Sequence, residues 1–222
     1  MKGRTALLVG ATGLVGGHCL TRLVEAPEYE RVRVLVRRPL GRGHEKIDER
    51  VVDFDKLADL APAPAVDDVF VCLGTTIKAA GSKEAFARVD HDYVVAAARL
   101  GRQGGAKRLC VVSSVGADSG SANFYLRVKG EAERDLEALG FEVLEVLRPS
   151  LLVGERQEQR VGEKIAIALT SVTRGLMLGP LRAYRPIEAK SVAAALVGAA
   201  LRGKPGVHVR THDEILELAR AV

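Results

Sequence analysis

Tyr125 and Lys129 stand four residues apart in the stretch NFYLRVKGEAE, residues 123–133. On a helix that spacing puts both side chains on one face, one turn apart. A phenol alone is a poor proton donor or acceptor near neutral pH, because its unperturbed pKa is about 10. A neighbouring ammonium favours the phenolate, and such a pair can move a proton to or from a substrate oxygen. The same two residues also suit an ordinary helix surface, so their chemistry depends on what the rest of the chain places around them. Ser113 and Ser114 stand in the apolar run RLCVVSSVGA (108–117), shortly before the tyrosine.

A second motif stands near the start. LLVGATGLVGG carries Gly10, Gly13 and Gly16 at three-residue spacing, behind an apolar run and ahead of a helical pattern. That context is what a dinucleotide-binding turn requires. Gly10 permits a tight turn, Gly13 lets backbone N–H groups approach a pyrophosphate at a helix N-terminus, and Gly16 lets the helix pack on the strand. Thr12, Leu14 and Val15 belong to the same candidate site. His18 reads as a structural helix residue.

The next apolar run, RVRVLVRR (31–38), ends in Arg37 and Arg38 and offers no acid. A carboxylate there would bond the ribose hydroxyls of NAD, whereas paired guanidiniums suit a 2′-phosphate. NADP(H) is therefore the expected cofactor. Asp53 and Phe54, closing RVVDFD (50–55), lie where an adenine edge would sit. Leu73, Gly74 and Thr75 follow the run DDVFVCLG (67–74), beside the expected path of ribose and nicotinamide, although a structural turn explains them equally well.

These residues need strands to carry them. Apolar runs at 5–11, 31–38, 50–55, 67–74, 108–117, 141–154 and 206–211 alternate with helical patterns. The helices are expected after Gly16 up to Pro27, then at 82–105, 125–140 and 191–203, with a final one capped by Thr211 or Asp213. Continuous apolar strands separated by helices imply a parallel sheet covered on both faces, a doubly wound α/β (Rossmann) arrangement. One domain spanning 1–222 is expected, with an irregular substrate-side segment at 154–190. Within it, 164–178 fits a lid, a partner site or core.

Composition narrows the class. The 222 residues are 47% hydrophobic, enough for a sizeable core, with 23 glycines and few aromatics. Cys19, Cys72 and Cys110 are far apart and odd in number, which fits reduced thiols rather than a disulfide framework or a metal site. No uninterrupted apolar stretch reaches membrane-spanning length, and the N-terminal apolar run is too short for a signal peptide. A cytoplasmic protein is the expectation. The net charge of +5 is mild and no aromatics interleave with the basic residues, so nucleic acid is not an expected partner. A small-molecule substrate is, while the oligomeric state and a protein partner stay open.

With GATGLVG, VLVRRP, VCLGTT, RVDHDYV, VSSVGAD, YLRVKGEAE and LRPSLLVGERQE in place, the chain resembles the short-chain dehydrogenase/reductase superfamily. It is most similar to the atypical branch related to Tat-interacting protein, an NADP(H)-binding, oxidoreductase-like family. The resemblance implies that Tyr125 exchanges a proton with a substrate oxygen while hydride moves to or from nicotinamide. It implies that Lys129 supports Tyr125 and holds the nicotinamide ribose, and that Ser113, in preference to Ser114, bonds the substrate oxygen. Pro149 to Leu152 would pass the carboxamide, and Arg160 would face cofactor, substrate or solvent. Many relatives carry an asparagine where this chain has Asp90 and His91, which weakens the case for a complete proton relay. The leading expectation is an NADP(H)-dependent oxidoreductase of a small carbonyl or alcohol. The alternatives are a cofactor-binding sensor or interaction protein with little turnover, and, lower, an epimerase- or dehydratase-like enzyme.

Overall fold

The computed structural model describes residues 3–41, 43–154 and 179–220. Seven strands form the central sheet: β1 (Arg4–Val9), β2 (Tyr29–Val36), β3 (Ile47–Val51), β4 (Asp68–Val71), β5 (Arg108–Val112), β6 (Val143–Leu147) and β9 (Gly206–Arg210). All pair in parallel, in the order β3-β2-β1-β4-β5-β6-β9. The doubly wound α/β expectation holds. A second, two-stranded sheet pairs β7 (Leu152–Val153) with β8 (Ile187–Glu188), which the apolar runs did not announce.

Alternation along each strand divides the core in two. Ala6 and Leu8 of β1, Phe70 of β4 and Cys110 of β5 face α1 (Leu14–Glu25) and α6 (Ala189–Arg202). Leu7 and Val9, Val69 and Val71, and Leu109 and Val111 face the opposite layer, built by α4 (Tyr93–Gln103) and α5 (Phe124–Glu137). Both faces are covered, so past their first residues these strands are largely apolar. Helix α1 buries Val15, Cys19 and Leu23, a four-residue spacing that keeps one stripe on the sheet. Helix α6 is alanine-rich and buried from Val192 to Ala200. Small side chains let it pack between α1, the sheet and the last helix, α7 (His212–Arg220).

Several elements differ from the sequence reading. The run 67–74 forms a strand only over Asp68–Val71, because the chain then turns away at the sheet edge. A single helical turn, α2 (Ile77–Ala80), follows, with the Thr76 side chain as its cap. The helix expected at 82–105 begins as α3 (Lys83–Ala87), passes through a wide π turn at Arg88–Asp92, and continues as α4. Asp53 caps a 3₁₀ helix at Phe54–Asp59 and accepts from the Asp55 N–H. At α7, Thr211 holds the cap position, yet the bond runs the other way: its N–H and hydroxyl donate to the Glu214 carboxylate at 2.9 and 3.2 Å. Of the irregular segment, Gly179–Tyr184 forms a 3₁₀ helix, while Arg160 and 164–178 lie outside the described residues.

Candidate functional site

Every candidate group except those outside the described residues follows the carboxyl end of a strand, or stands on a helix entered from one. This is the ligand edge of an open parallel sheet. After β1, Gly10 adopts φ +86°, a left-handed conformation that L side chains rarely take. A Cβ on Gly16 would lie 1.9 Å from the Gly10 carbonyl oxygen, so α1 reaches the turn only because that side chain is absent. Gly13 is the N-cap of α1 and no side chain caps the helix. The first amides of α1 thus keep their hydrogens for an anion. Leu14 and Gly154 meet here: a Cβ on Gly154 would lie 3.1 Å from the Leu14 side chain. Thr12 is exposed and Val15 is buried.

Arg37 and Arg38 follow β2 and are exposed. Asp53 is exposed with one carboxylate oxygen occupied by its cap bond, 3.0 Å from the Asp55 nitrogen. The Phe54 ring is buried and packs on Tyr93 at 5.6 Å. Leu73, Gly74 and Thr75 form the turn after β4. That turn is tied down, because the Thr75 N–H donates to Asp90 Oδ2 at 2.9 Å.

The other oxygen of Asp90 pairs with Lys129 Nζ at 2.8 Å, and both side chains are almost fully buried. The π turn explains how Asp90 gets there. Widening the helix by one residue at Arg88–Asp92 turns Asp90 inward, while His91 faces α5 and lies 3.0 Å from Asp135. Of the two residues in question at this place, Asp90 belongs to the site and His91 braces two helices. Tyr125 sits one turn before Lys129 on α5, half-buried, with its ring 5.4 Å from that of Phe86. Gly74 completes the group: a Cβ there would be 3.6 Å from Asp90 Oδ1 and 3.9 Å from Lys129 Nζ.

Ser113 follows β5 and is buried, and its hydroxyl donates to the Glu133 carboxylate. Glu133 is gripped by Arg148, whose Nε lies 3.0 and 3.2 Å from the two oxygens and whose Nη2 bonds one of them. Ser114 is half-buried, with a long 3.4 Å contact to the Val115 carbonyl. Pro149 is buried and its carbonyl accepts from the Val115 N–H, while Leu152 is half-buried at the start of β7. A cavity of about 10 Å³ touches Asp90, Ser113, Lys129 and Glu133. A groove of about 310 Å³ lies beyond α5, lined by Arg148 at the end of β6, Val207, Val209 and again Glu133. Sequence reading missed Glu133 and Arg148. The signal for Glu133 was its place four residues after Lys129, the next turn of the same helix face.

The comparisons with known proteins agree with this geometry. A family model described as NAD(P)H-binding matches residues 10–200. The chain belongs to this NAD(P)H-binding family. It is 41% identical over 170 residues to Protein HTATIP2 of Rattus norvegicus, covering 75% of this chain and 70% of that protein. It is 35% identical over 219 residues to Protein FMP52, mitochondrial, of Eremothecium gossypii, covering 97% of each. Among solved structures, MoeE5 in complex with UDP-glucose and NAD has a TM-score of 0.68 at 20% identity, covering 97% of this chain and 81% of that one. That likeness is one of fold. The chain thus groups with HTATIP2 and FMP52, as its motifs led one to expect, within the NAD(P)H-binding family.

The cytoplasmic expectation is corrected. The relatives from Eremothecium gossypii and Candida albicans, matched over almost their whole length, are named mitochondrial. Reduced cysteines report a reducing compartment without saying which one, so they could not have separated the two. No helix among the described residues is long and apolar enough to cross a membrane.

Proposed function

We propose that the protein is an NADP(H)-dependent oxidoreductase acting on a small carbonyl or alcohol. The observation that carries the proposal is Lys129, held by a buried ion pair at the carboxyl edge of the sheet, one turn along α5 from Tyr125. When bound, the nicotinamide supplies or takes a hydride. The residues do the rest. Gly10, Gly13 and Gly16 shape the turn on which a pyrophosphate rests against the first amides of α1. Arg37 and Arg38 grip a 2′-phosphate, which favours NADP(H) over NAD(H). In carbonyl reduction Tyr125 gives its hydroxyl proton to the substrate oxygen, and in alcohol oxidation it takes that proton back. Lys129 keeps a positive charge beside the phenol and offers N–H donors to the ribose. Asp90 fixes the direction of that ammonium and ties it to the Leu73–Gly74–Thr75 turn.

The experiment is an NADPH titration by fluorescence, followed by oxidation of the bound cofactor with aldehydes, ketones and quinones. Tight binding with substrate-dependent oxidation is expected. Failure to bind would overturn the cofactor assignment. A second reading has its own observation: the Lys129 charge is already matched by Asp90, which suits a cofactor-binding protein that senses or docks rather than turns over. Tight binding with no oxidation across the panel would favour it.

A further inference from the structure

The two edges of the central sheet are built from different residues. At one edge β3 reads IDERV, with Asp48, Glu49 and Arg50 in succession. Charges of that kind keep an edge strand from pairing with another chain. At the other edge β9 reads GVHVR, and no Lys, Asp or Glu stands before the arginine at its end. Val207 and Val209 are 47% and 42% exposed. Beside them, in register and buried, lie Leu144 and Val146 of β6. All four line the groove of about 310 Å³ beyond α5. β9 therefore leaves open an apolar face as well as an edge.

The backbone of β9 fixes which groups are free. The Gly206 N–H donates to the Glu142 carbonyl, and the Arg210 carbonyl accepts from the Arg148 N–H. Alternate residues of a parallel strand turn to one neighbour. Gly206, His208 and Arg210 thus face β6, and Val207 and Val209 turn their N–H and C=O groups outward. Among the described residues β9 pairs with β6 alone. The free stretch is short at both ends. Pro205 has no N–H, and the Thr211 N–H is committed to Glu214 at 2.9 Å.

These groups are self-complementary. A two-fold axis at His208 sets Val207 of one copy opposite Val209 of the other, antiparallel. Each such pair can exchange both of its hydrogen bonds. Sliding by two residues either way sets Pro205 or Thr211 against a valine and loses a donor. We infer that the protein forms a two-fold dimer through β9, centred on His208, which joins two seven-stranded sheets into one and covers Val207 and Val209. Growth stops at two copies, because the edges left over are the charged β3 strands. The inference does not depend on the oxidoreductase reading. The contact is small, so a dissociation constant on the order of micromolar is expected.

The test is sedimentation of the purified full chain below and well above the micromolar range. The mass should rise from one chain to two and no further. Val207→Lys with Val209→Lys sets like charges opposite each other. It should raise the dissociation constant more than about tenfold, while the thermal melt of the dilute protein does not move. Val207→Glu with Val209→Lys sets each new carboxylate opposite a new ammonium in this register alone, and should keep the dimer. His208→Cys gives an independent reading. Residues facing each other at the axis form a non-hydrogen-bonded pair with Cα atoms about 4.5 Å apart, within reach of a disulfide. Mild oxidation should cross-link that variant and not the wild type. A wild type that stays monomeric at every concentration overturns the inference, and is the result expected if a foreign extended segment is the natural occupant of the edge. So does a Lys–Lys variant that dimerises as well as the wild type, a Glu–Lys variant that does not dimerise, or a His208→Cys variant that does not cross-link.

Discussion

Charged and polar groups gather at both ends of the sheet, and the two ends use them in opposite ways. At the amino ends, Arg4 of β1, Tyr29 of β2, Asp68 of β4 and Arg108 of β5 close on one another. The Tyr29 hydroxyl donates to Asp68 at 2.7 Å, and the two arginines lie 3.5 Å from its oxygens. Burial, then the Asp68 charge, pushes Tyr29 far above the ordinary phenol range. Burial also raises Asp68, against the opposing pull of Tyr29, Arg4 and Arg108. At the carboxyl ends, Lys129 and Asp90 are as deeply buried, but beside them stand Gly10, Gly74, half-buried Tyr125 and exposed Arg37 and Arg38. The comparison teaches that a strongly perturbed titration is no sign of function by itself. The amino-end cluster satisfies itself and closes. The carboxyl-end cluster stands beside a turn shaped for an anion.

The largest effect should come from removing the phenol at the open end. Tyr125→Phe is expected to lower turnover about 10²–10⁴-fold, the range for a positioned general acid, while leaving NADPH affinity and the melting temperature in place. Fluorescence titration, steady-state kinetics and a thermal melt on one preparation would show it. A variant that melts early would move Tyr125 to the structural side of the comparison.

The closed end should respond in the opposite way. Asp68→Ala leaves the Tyr29 hydroxyl buried without its acceptor and two arginines without their partner. Arg4 and Arg108 are each about a third exposed, so water recovers part of the loss. A cost of about 2–3 kcal/mol in urea unfolding is expected, mostly from the unsatisfied hydroxyl and the desolvated charges, with NADPH affinity unchanged. Equal damage to binding and stability would erase the distinction between the ends.

How far sequence reading reaches follows the same division. The parallel sheet was legible because strands buried on both faces are mostly apolar, as β4 and β6 are apart from Asp68 and Glu145. The ligand edge was legible because Gly10, Gly16, Arg37 and Ser113 each stand just past such a run. What stayed hidden depends on contacts between distant segments. Nothing in RVDHDY announces a π turn, so Asp90 and His91 could not be told apart until one was seen to face Lys129 and the other Asp135. The Ser113–Glu133–Arg148 cluster joins β5, α5 and the end of β6, and no local pattern encodes it. That the Phe54 ring is core shows only in its packing against Tyr93.

A smaller effect would sharpen the cofactor side. Arg37→Ala with Arg38→Ala should weaken NADPH binding by about 1–3 kcal/mol through lost charge-assisted hydrogen bonds, with NADH little changed. Parallel titrations with the two cofactors check it. Equal losses would place the arginines on the pyrophosphate, or on the surface, rather than on a 2′-phosphate.

The smallest effect tests a pair near the open end that behaves like the closed one. Asp213, in the first turn of α7, bonds His212 at 2.8 Å and pairs with Arg182 of the 179–184 helix at 3.1 Å. The His212 hydrogen bond, then the Arg182 charge, holds its carboxyl below the usual carboxylate range despite some desolvation. An acid whose folded pKa is depressed contributes stability above its unfolded pKa and loses it as pH falls through the folded one. The gap between wild type and Asp213→Asn in urea midpoint should therefore be small but constant near neutral pH and close as the carboxyl protonates. The pair is about half exposed, so added salt should shrink the neutral-pH gap as well. A gap that persists in acid would mean that Asp213 acts through the backbone of α7 rather than through its charge.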